Sequence, residues 1–138
     1  MIICGFPGVG KTTMAKFSNW IDLESTPFEK NWQLYANVAK HMSNSGYTVM
    51  VSTHEDMLNA LEQIEASYTV VIPHPLDKST YMGRYIRRGD DQHFIDNIMD
   101  HWDVWIRNIL KEPSVLKRVI VLPTDGCLQA IAEKVEKR

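Results

Sequence analysis

The chain opens on an unbroken apolar run, Met1 to Phe6 (MIICGF), with no polar residue in alternation. A strand with one wet face alternates in polarity, so a short continuous run closed by glycine fits a strand covered on both faces of a parallel sheet. Further strands are expected at Trp20 to Leu23, Tyr47 to Ser52 (YTVMVS), Tyr68 to Ile72 (YTVVI) and Arg118 to Leu122 (RVIVL). Between them the apolar period changes to the helical one. A short helix is expected from Lys11 to about Ser18, and a longer one carries Trp32, Tyr35, Val38, Ala39 and Met42, with Gly46 as its stop.

Thr53 and Asp56 resemble a capping box ahead of a helix bearing Met57, Leu58, Leu61 and Ile64. Asp77 can cap a helix from Lys78 to Arg88, which Gly89 and Asp90 end. The strongest stripe follows: Phe94, Ile95, Ile98, Met99, Trp102, Trp105, Ile106, Ile109 and Leu110, with Trp102 and Trp105 as core anchors. Asp125 and Gly126 start a last helix with Leu128, Ile131, Ala132 and Val135 on one side. Five strands alternating with helices predict an α/β, three-layer architecture around a five-stranded parallel sheet.

At 138 residues, 44% of them apolar and 23% charged, the chain has the length and composition of one globular domain spanning 1–138. The formal charge of −2 argues against a broad basic surface for nucleic acid, so any attraction for phosphate is local. Cys4 and Cys127 lie far apart with no metal-ligand spacing, and no secretory or 18-residue apolar run is present. A reduced, cytoplasmic protein with no membrane contact is the expectation.

Gly5 to Thr12 spells GFPGVGKT, a full match to G-x-x-x-x-G-K-[ST], between the first strand and the first helix. Gly5, Gly8 and Gly10 are expected to adopt backbone angles barred to other residues, so that the N–H groups from Gly8 through Val9, Gly10, Lys11, Thr12 and Thr13 turn toward a polyphosphate. The positive end of the following helix is expected to add to that attraction. Lys11 brings a mobile point charge for the β and γ phosphates, and the Thr12 hydroxyl is a ligand for Mg²⁺. ATP and Mg²⁺ are therefore the expected cofactors, with Thr13 near the α phosphate.

The ends of the third, fourth and fifth strands read VST, VIP and VLP, so none supplies the strand aspartate that holds Mg²⁺ in motor ATPases and GTPases, and no NKxD segment is present. A carboxylate appears instead after the second strand, in Trp20-Ile21-Asp22-Leu23-Glu24-Ser25. With GFPGVGKT, then DLESTPF at 22–28, YMGRYIRRG at 81–89 and the long Trp-bearing helix, the chain resembles the small P-loop kinases of the nucleoside monophosphate, shikimate and gluconate kinase superfamily. Within it, the short kinase-like proteins of bacteriophages are most similar. The resemblance implies a P-loop NTPase fold and an Asp22 that faces acceptor and metal. It also implies lid arginines at 84–88, and a segment 123–126 beside the nucleotide base.

Phosphoryl transfer asks a protein mainly to align the acceptor and neutralise charge, which suits a carboxylate and several guanidiniums. On a helix, Arg84, Arg87 and Arg88 share one sector beside Tyr81, Met82, Tyr85 and Ile86, and a lid near 84–93 hinging at Gly83 and Gly89 would bring them over the site. Ser25 and Phe28 are candidate acceptor contacts, since an aromatic face stacks on a base. His54 and His74 follow strands and can line the cleft. His41, His93 and His101 read as surface residues.

The expected function is ATP-dependent phosphoryl transfer to a nucleoside monophosphate or deoxynucleotide. The catalytic set is Lys11, Asp22, Arg84, Arg87 and Arg88, with Asp22 positioning acceptor or metal. Two alternatives share the donor site: a kinase acting on a modified base or end of DNA, and a nonenzymatic nucleotide-binding module. Only eleven positions separate Lys11 from Asp22, which makes the first helix shorter than in adenylate kinases, and the lid is a loop in place of a domain.

Overall fold

The computed structural model describes residues 1–136, with side chains described through Ala132. The five expected strands are present as β1 (Ile2–Gly5), β2 (Trp20–Asp22), β3 (Thr48–Val51), β4 (Tyr68–Ile72) and β5 (Lys117–Val121). Every pairing is parallel, in the order β2-β3-β1-β4-β5. The registers align Ile3 with Met50 and Thr69, and Asp22 with Met50, so β1 and β2 end at the same edge of the sheet. β1, β3 and β4 are buried along their whole length, as their unbroken apolar runs require.

The helices are α1 (Lys11–Met14), α2 (Trp32–Asn44), α3 (Glu55–Gln63), α4 (Lys78–Arg87), α5 (Gln92–Lys111) and α6 (Leu128–Glu136). The connection from β1 to β2 runs one way across the sheet, while those from β2 to β3 and from β3 to β4 run the other way. Right-handed crossovers then place α1 on one face and α2 and α3 on the opposite one. The packing agrees, for α2 lies against α3, and α1 against α6. Chain leaving β1 and β3, neighbours in the sheet, therefore departs toward opposite faces, and the crevice opened there lies over the carboxyl end of β1.

Trp102 of α5 is fully buried, meets Phe6 edge-on at 5.3 Å, and donates its indole N–H to the Pro75 carbonyl at 3.1 Å. Truncating such a residue to alanine costs about 3 to 5 kcal/mol. Trp105, one turn further along, packs half-buried against the edge of the core and also stacks on the exposed His101 at 5.1 Å. Gly46 does end α2, at φ +101, with the Tyr47 amide donating to Met42 and the Gly46 amide to Ser43.

Four local expectations are corrected. α1 stops at Met14 in place of Ser18, because Lys16, Phe17 and Trp20 make tight turns onto Thr13, Met14 and Phe17 that lead straight into β2. α3 is capped by His54, not by a Thr53–Asp56 box: the His54 Nδ1 accepts the Asp56 amide at 3.1 Å. Asp77 precedes α4 without capping it, since its carboxylate turns elsewhere. α6 begins at Leu128, after a turn in which Asp125 takes φ +59 and the Gly126 amide returns to Pro123. Val135, expected on the apolar side of α6, lies outside the residues whose side chains are described.

Candidate functional site

The loop between β1 and α1 stands at the carboxyl end of the central strand. Gly8 and Gly10 take φ +90 and +109, angles that glycine alone adopts cheaply. Gly5 does not; its requirement is space. A Cβ there would sit 2.9 Å from the Lys11 Cδ, because the lysine stem folds back across Gly5. The Val9 amide is occupied by the Phe6 carbonyl at 3.2 Å, and the Val9 carbonyl accepts from Leu128 at 2.8 Å. Val9, fully buried, is thus the staple of the loop and not one of its free donors.

Among the described residues, the N–H groups of Gly8, Gly10, Lys11, Thr12 and Thr13 have no acceptor. These five donors fall within six successive residues, 8–13, that include Lys11. With α1 only four residues long, the attraction for an anion comes from these individual N–H groups and not from a long helix dipole. Thr12 and Thr13 are exposed.

Burial lowers the Lys11 pKa below its usual value, and the charge of Asp22 is the largest influence opposing that shift. Arg88 pushes the same way as burial and Glu24 the other way. Asp22 closes β2, half-buried, and its pKa is raised by burial, with Lys11 opposing and Glu24 adding to the rise. Lys11, Asp22, Glu24 and Arg88 therefore share one electrostatic neighbourhood. The end of β2 is fixed from below by Tyr35, whose hydroxyl donates to the Leu23 carbonyl and accepts from the Ser52 amide. That double bond ties β2 to the loop after β3, and burial drives the Tyr35 pKa far up. Sequence periodicity marked Tyr35 only as core; its hydroxyl had no signal.

Ser25 and Phe28 lie in and beside a short 3-10 turn (Thr26–Phe28) after Asp22. Phe28 is half-buried and packs on Tyr35 with ring centroids 5.0 Å apart, so one of its faces is already committed. His54 and His74 do not line the cleft as free side chains. Each sits just before a helix and accepts an amide two residues on, at Asp56 and Leu76, both at 3.1 Å. His54 also stacks on Trp32 at 4.6 Å.

The arginines separate. Arg84 donates to the Gly8 and Gly126 carbonyls, both at 3.0 Å, approaches the Asp125 carboxylate at 3.6 Å and lies 4.3 Å over the Tyr81 ring. Arg88 pairs with Asp90 and lies over the rings of Tyr85 and Phe94 at 5.1 and 5.9 Å. Arg87 is exposed and bends back along its own helix over Gly83. The expected hinge at Gly89 is a closed helix end: Gly89 at φ +79 donates to Ile86, and Asp90 to Tyr85.

Two further residues complete this side. The Tyr85 hydroxyl donates to the Pro7 carbonyl at 2.6 Å, and the buried Asp77 accepts the Asp125 amide at 2.6 Å. Tyr81 and Tyr85 are fully buried, and a Cβ on Gly8 would meet them at 3.1 and 2.9 Å. The sequence places both tyrosines on a packing sector; what it does not reveal is that they pack on the loop itself.

Among the described residues no three His, Cys, Asp or Glu side chains group to hold a metal ion. Mg²⁺ bound beside a polyphosphate does not need such a cage, since it keeps waters and takes one or two protein oxygens. The oxygens of Thr12 and Asp22 are hard donors of that kind. Two surface hollows, about 320 Å³ among Met1, Lys40 and Tyr68 and about 450 Å³ beside Ile106 and Leu110, contain no loop residue. The site stands on donors and charge, and not on enclosed volume. Among the described residues no helix is long and apolar enough to cross a membrane.

The chain matches no protein-family model and no curated protein. Among solved structures it is similar to an uncharacterized protein from Eubacterium ventriosum, with a TM-score of 0.53 and 13% identity over 99% of this chain and 95% of that one. The likeness is one of fold.

Proposed function

We propose that the chain is a P-loop phosphotransferase that moves the terminal phosphoryl group of ATP to a nucleoside monophosphate or deoxynucleotide. The carrying observation is the loop after β1, whose five amides without acceptors lie within the stretch 8–13 that includes a half-buried lysine sharing its field with a carboxylate across the sheet edge. Free N–H groups at that spacing are a cradle for phosphate oxygens. Lys11 supplies positive charge where the transferred group gains negative charge, and a partly desolvated setting strengthens that interaction.

Asp22 stands two strands away from β1, at the same edge of the sheet, and its charge is felt at Lys11. An acceptor held between them would have its attacking oxygen positioned by the carboxylate, with little need for a strong base when that oxygen belongs to a phosphate. Thr12 and Asp22 would hold Mg²⁺, which supplies charge neutralisation to the bridging phosphates when bound. Arg88, near Lys11 in the electrostatic sense and hydrogen-bonded among the described residues to the carboxylate of Asp90, is the guanidinium best placed to turn toward the phosphates.

The test is a steady-state assay of ADP formation with Mg·ATP and a panel of nucleoside and deoxynucleoside monophosphates, on the wild type and Lys11→Met. Acceptor-dependent turnover that Lys11→Met lowers by about a hundredfold or more is expected. A wild type with no turnover above the acceptor-free rate on any of them, or a Lys11→Met variant as active as the wild type, rejects the proposal.

A further inference from the structure

We infer that Arg84 and Tyr85 are positioning residues: they grip the back of the phosphate-binding loop, aim its free amides, and lock it to the segment 123–127. This rests on the phosphate-binding reading of the loop and adds to it a division of labour among the arginines.

The argument begins with the peptide bond. In a trans peptide the C=O and the following N–H point in opposite directions, and among the described residues no peptide is cis. Tyr85 holds the Pro7 carbonyl, so the Gly8 N–H of the same peptide is turned away from α4. Arg84 holds the Gly8 carbonyl, which turns the Val9 N–H inward to Phe6, where it closes the loop. Two successive carbonyls anchored to one helix leave the loop no freedom to flip those peptides and present oxygens to an anion. The tyrosine rings seal the arrangement, since they approach Gly8 as closely as a side chain there would forbid.

The guanidinium suits this task in a way an ammonium cannot. Its planar fork donates in two directions at once, to Gly8 from one Nη and to Gly126 from the other, while its face rests on Tyr81. The segment it reaches is anchored twice more, through Asp77 to the Asp125 amide and through Leu128 to the Val9 carbonyl. Arg84 is therefore committed to backbone oxygens on both sides, and an anion in the loop meets its consequences and not its charge.

The experiment measures inorganic tripolyphosphate binding with Mg²⁺ by calorimetry, across a salt series, for wild type, Arg84→Lys, Arg84→Gln and Tyr85→Phe, alongside their melting temperatures. Loss of charged-group hydrogen bonds from the loop predicts that Arg84→Lys and Arg84→Gln both weaken binding by about tenfold or more, and Tyr85→Phe by about threefold to tenfold. The dependence of log Kd on log salt stays that of the wild type, because no charge touching the anion has been removed. Wild-type affinity in Arg84→Lys, or a shallower salt dependence in Arg84→Gln, shows direct contact with the anion and overturns the inference. Lower melting temperatures with unchanged affinity well below the melt also overturn it, as a role in stability alone. If the Arg84 variants do not fold, Tyr85→Phe decides, since it keeps the ring and loses one donor. A wild type that does not bind tripolyphosphate removes the phosphate reading and the inference together, whereas binding unaffected by the variants removes the inference only.

Discussion

The two flanks of the loop are built on opposite terms. On the α4 flank the carbonyls of Pro7 and Gly8 are taken up by hydrogen bonds, the rings of Tyr81 and Tyr85 are fully buried, and Asp77 satisfies the Asp125 amide. On the β2 flank, Asp22 is half-buried with a raised pKa, opposed by the charge of Lys11, itself shifted in the unfavourable direction. The first flank contributes stability and the second costs some. On the proposed function, such a costly pair of charges beside the loop is what a site admitting a charged ligand has to tolerate.

The largest effect follows from breaking the rigid flank at its tightest point. Gly8→Ala forces a Cβ into a left-handed backbone and to within 2.9 Å of the Tyr85 ring. Strain and overpacking together predict a loss of about 2 to 4 kcal/mol, read as a lowered midpoint in urea unfolding. Gly10→Ala is the control: its φ is also positive, but the nearest atom to a new Cβ is 3.8 Å away, so only the backbone strain of about 1 to 2 kcal/mol remains. Equal losses at the two positions would show that the tyrosines do not press on the loop.

That contrast also marks what the sequence could show. β1, β3 and β4 were legible because burial on both faces removes the polar alternation that would blur them, while the half-buried edge strands β2 and β5 showed as short runs rich in apolar residues. The long helix α5 was legible from its stripe, and the loop from GFPGVGKT. The caps were not, because His54 and His74 act through Nδ1 acceptors, a role for which Ser, Thr and Asp are the usual signal. Nor was the split among the arginines. Helical spacing puts Arg84, Arg87 and Arg88 in one sector, but Arg84 meets carbonyls supplied by Gly8 and Gly126, at sequence separations of 76 and 42, and local periodicity carries no information about those partners.

The β2 flank makes the opposite prediction about stability. Burial raises the Asp22 pKa above 3.8, so the folded state binds the proton more tightly than the unfolded one. Below about pH 4 the carboxyl is protonated in both states, and its favourable burial is fully present. As pH rises through the folded value, the desolvated carboxylate has to be accommodated and stability falls. Asp22→Asn removes that fall, so the variant should match the wild type's pH slope in acid and become the more stable of the two toward neutral pH, while losing phosphoryl transfer. Thermal melts from pH 3 to 7 with a parallel assay of turnover test it. A variant less stable than the wild type at pH 7 would show that Lys11 and Asp22 form a net favourable pair, and the proposed cost on this flank would be wrong.

The smallest expected effect separates neighbours on one helix. Arg87 and Arg88 are adjacent in sequence, yet it is the charge of Arg88 that helps lower the Lys11 pKa, while Arg87 bends over Gly83 with its charge in solvent. Arg87→Ala should therefore stay within about 0.5 kcal/mol of wild-type stability and leave kcat and KM for ATP unaltered. Arg88→Ala should lower turnover, because it removes an arginine whose charge acts on the lysine and whose hydrogen bond goes to Asp90 in place of loop carbonyls. A large loss of turnover in Arg87→Ala would mean that α4 rotates during the reaction and carries its outer face over the phosphates. The grip of Tyr85 and Arg84 on Pro7 and Gly8 opposes such a rotation, since it would have to release both carbonyls at once.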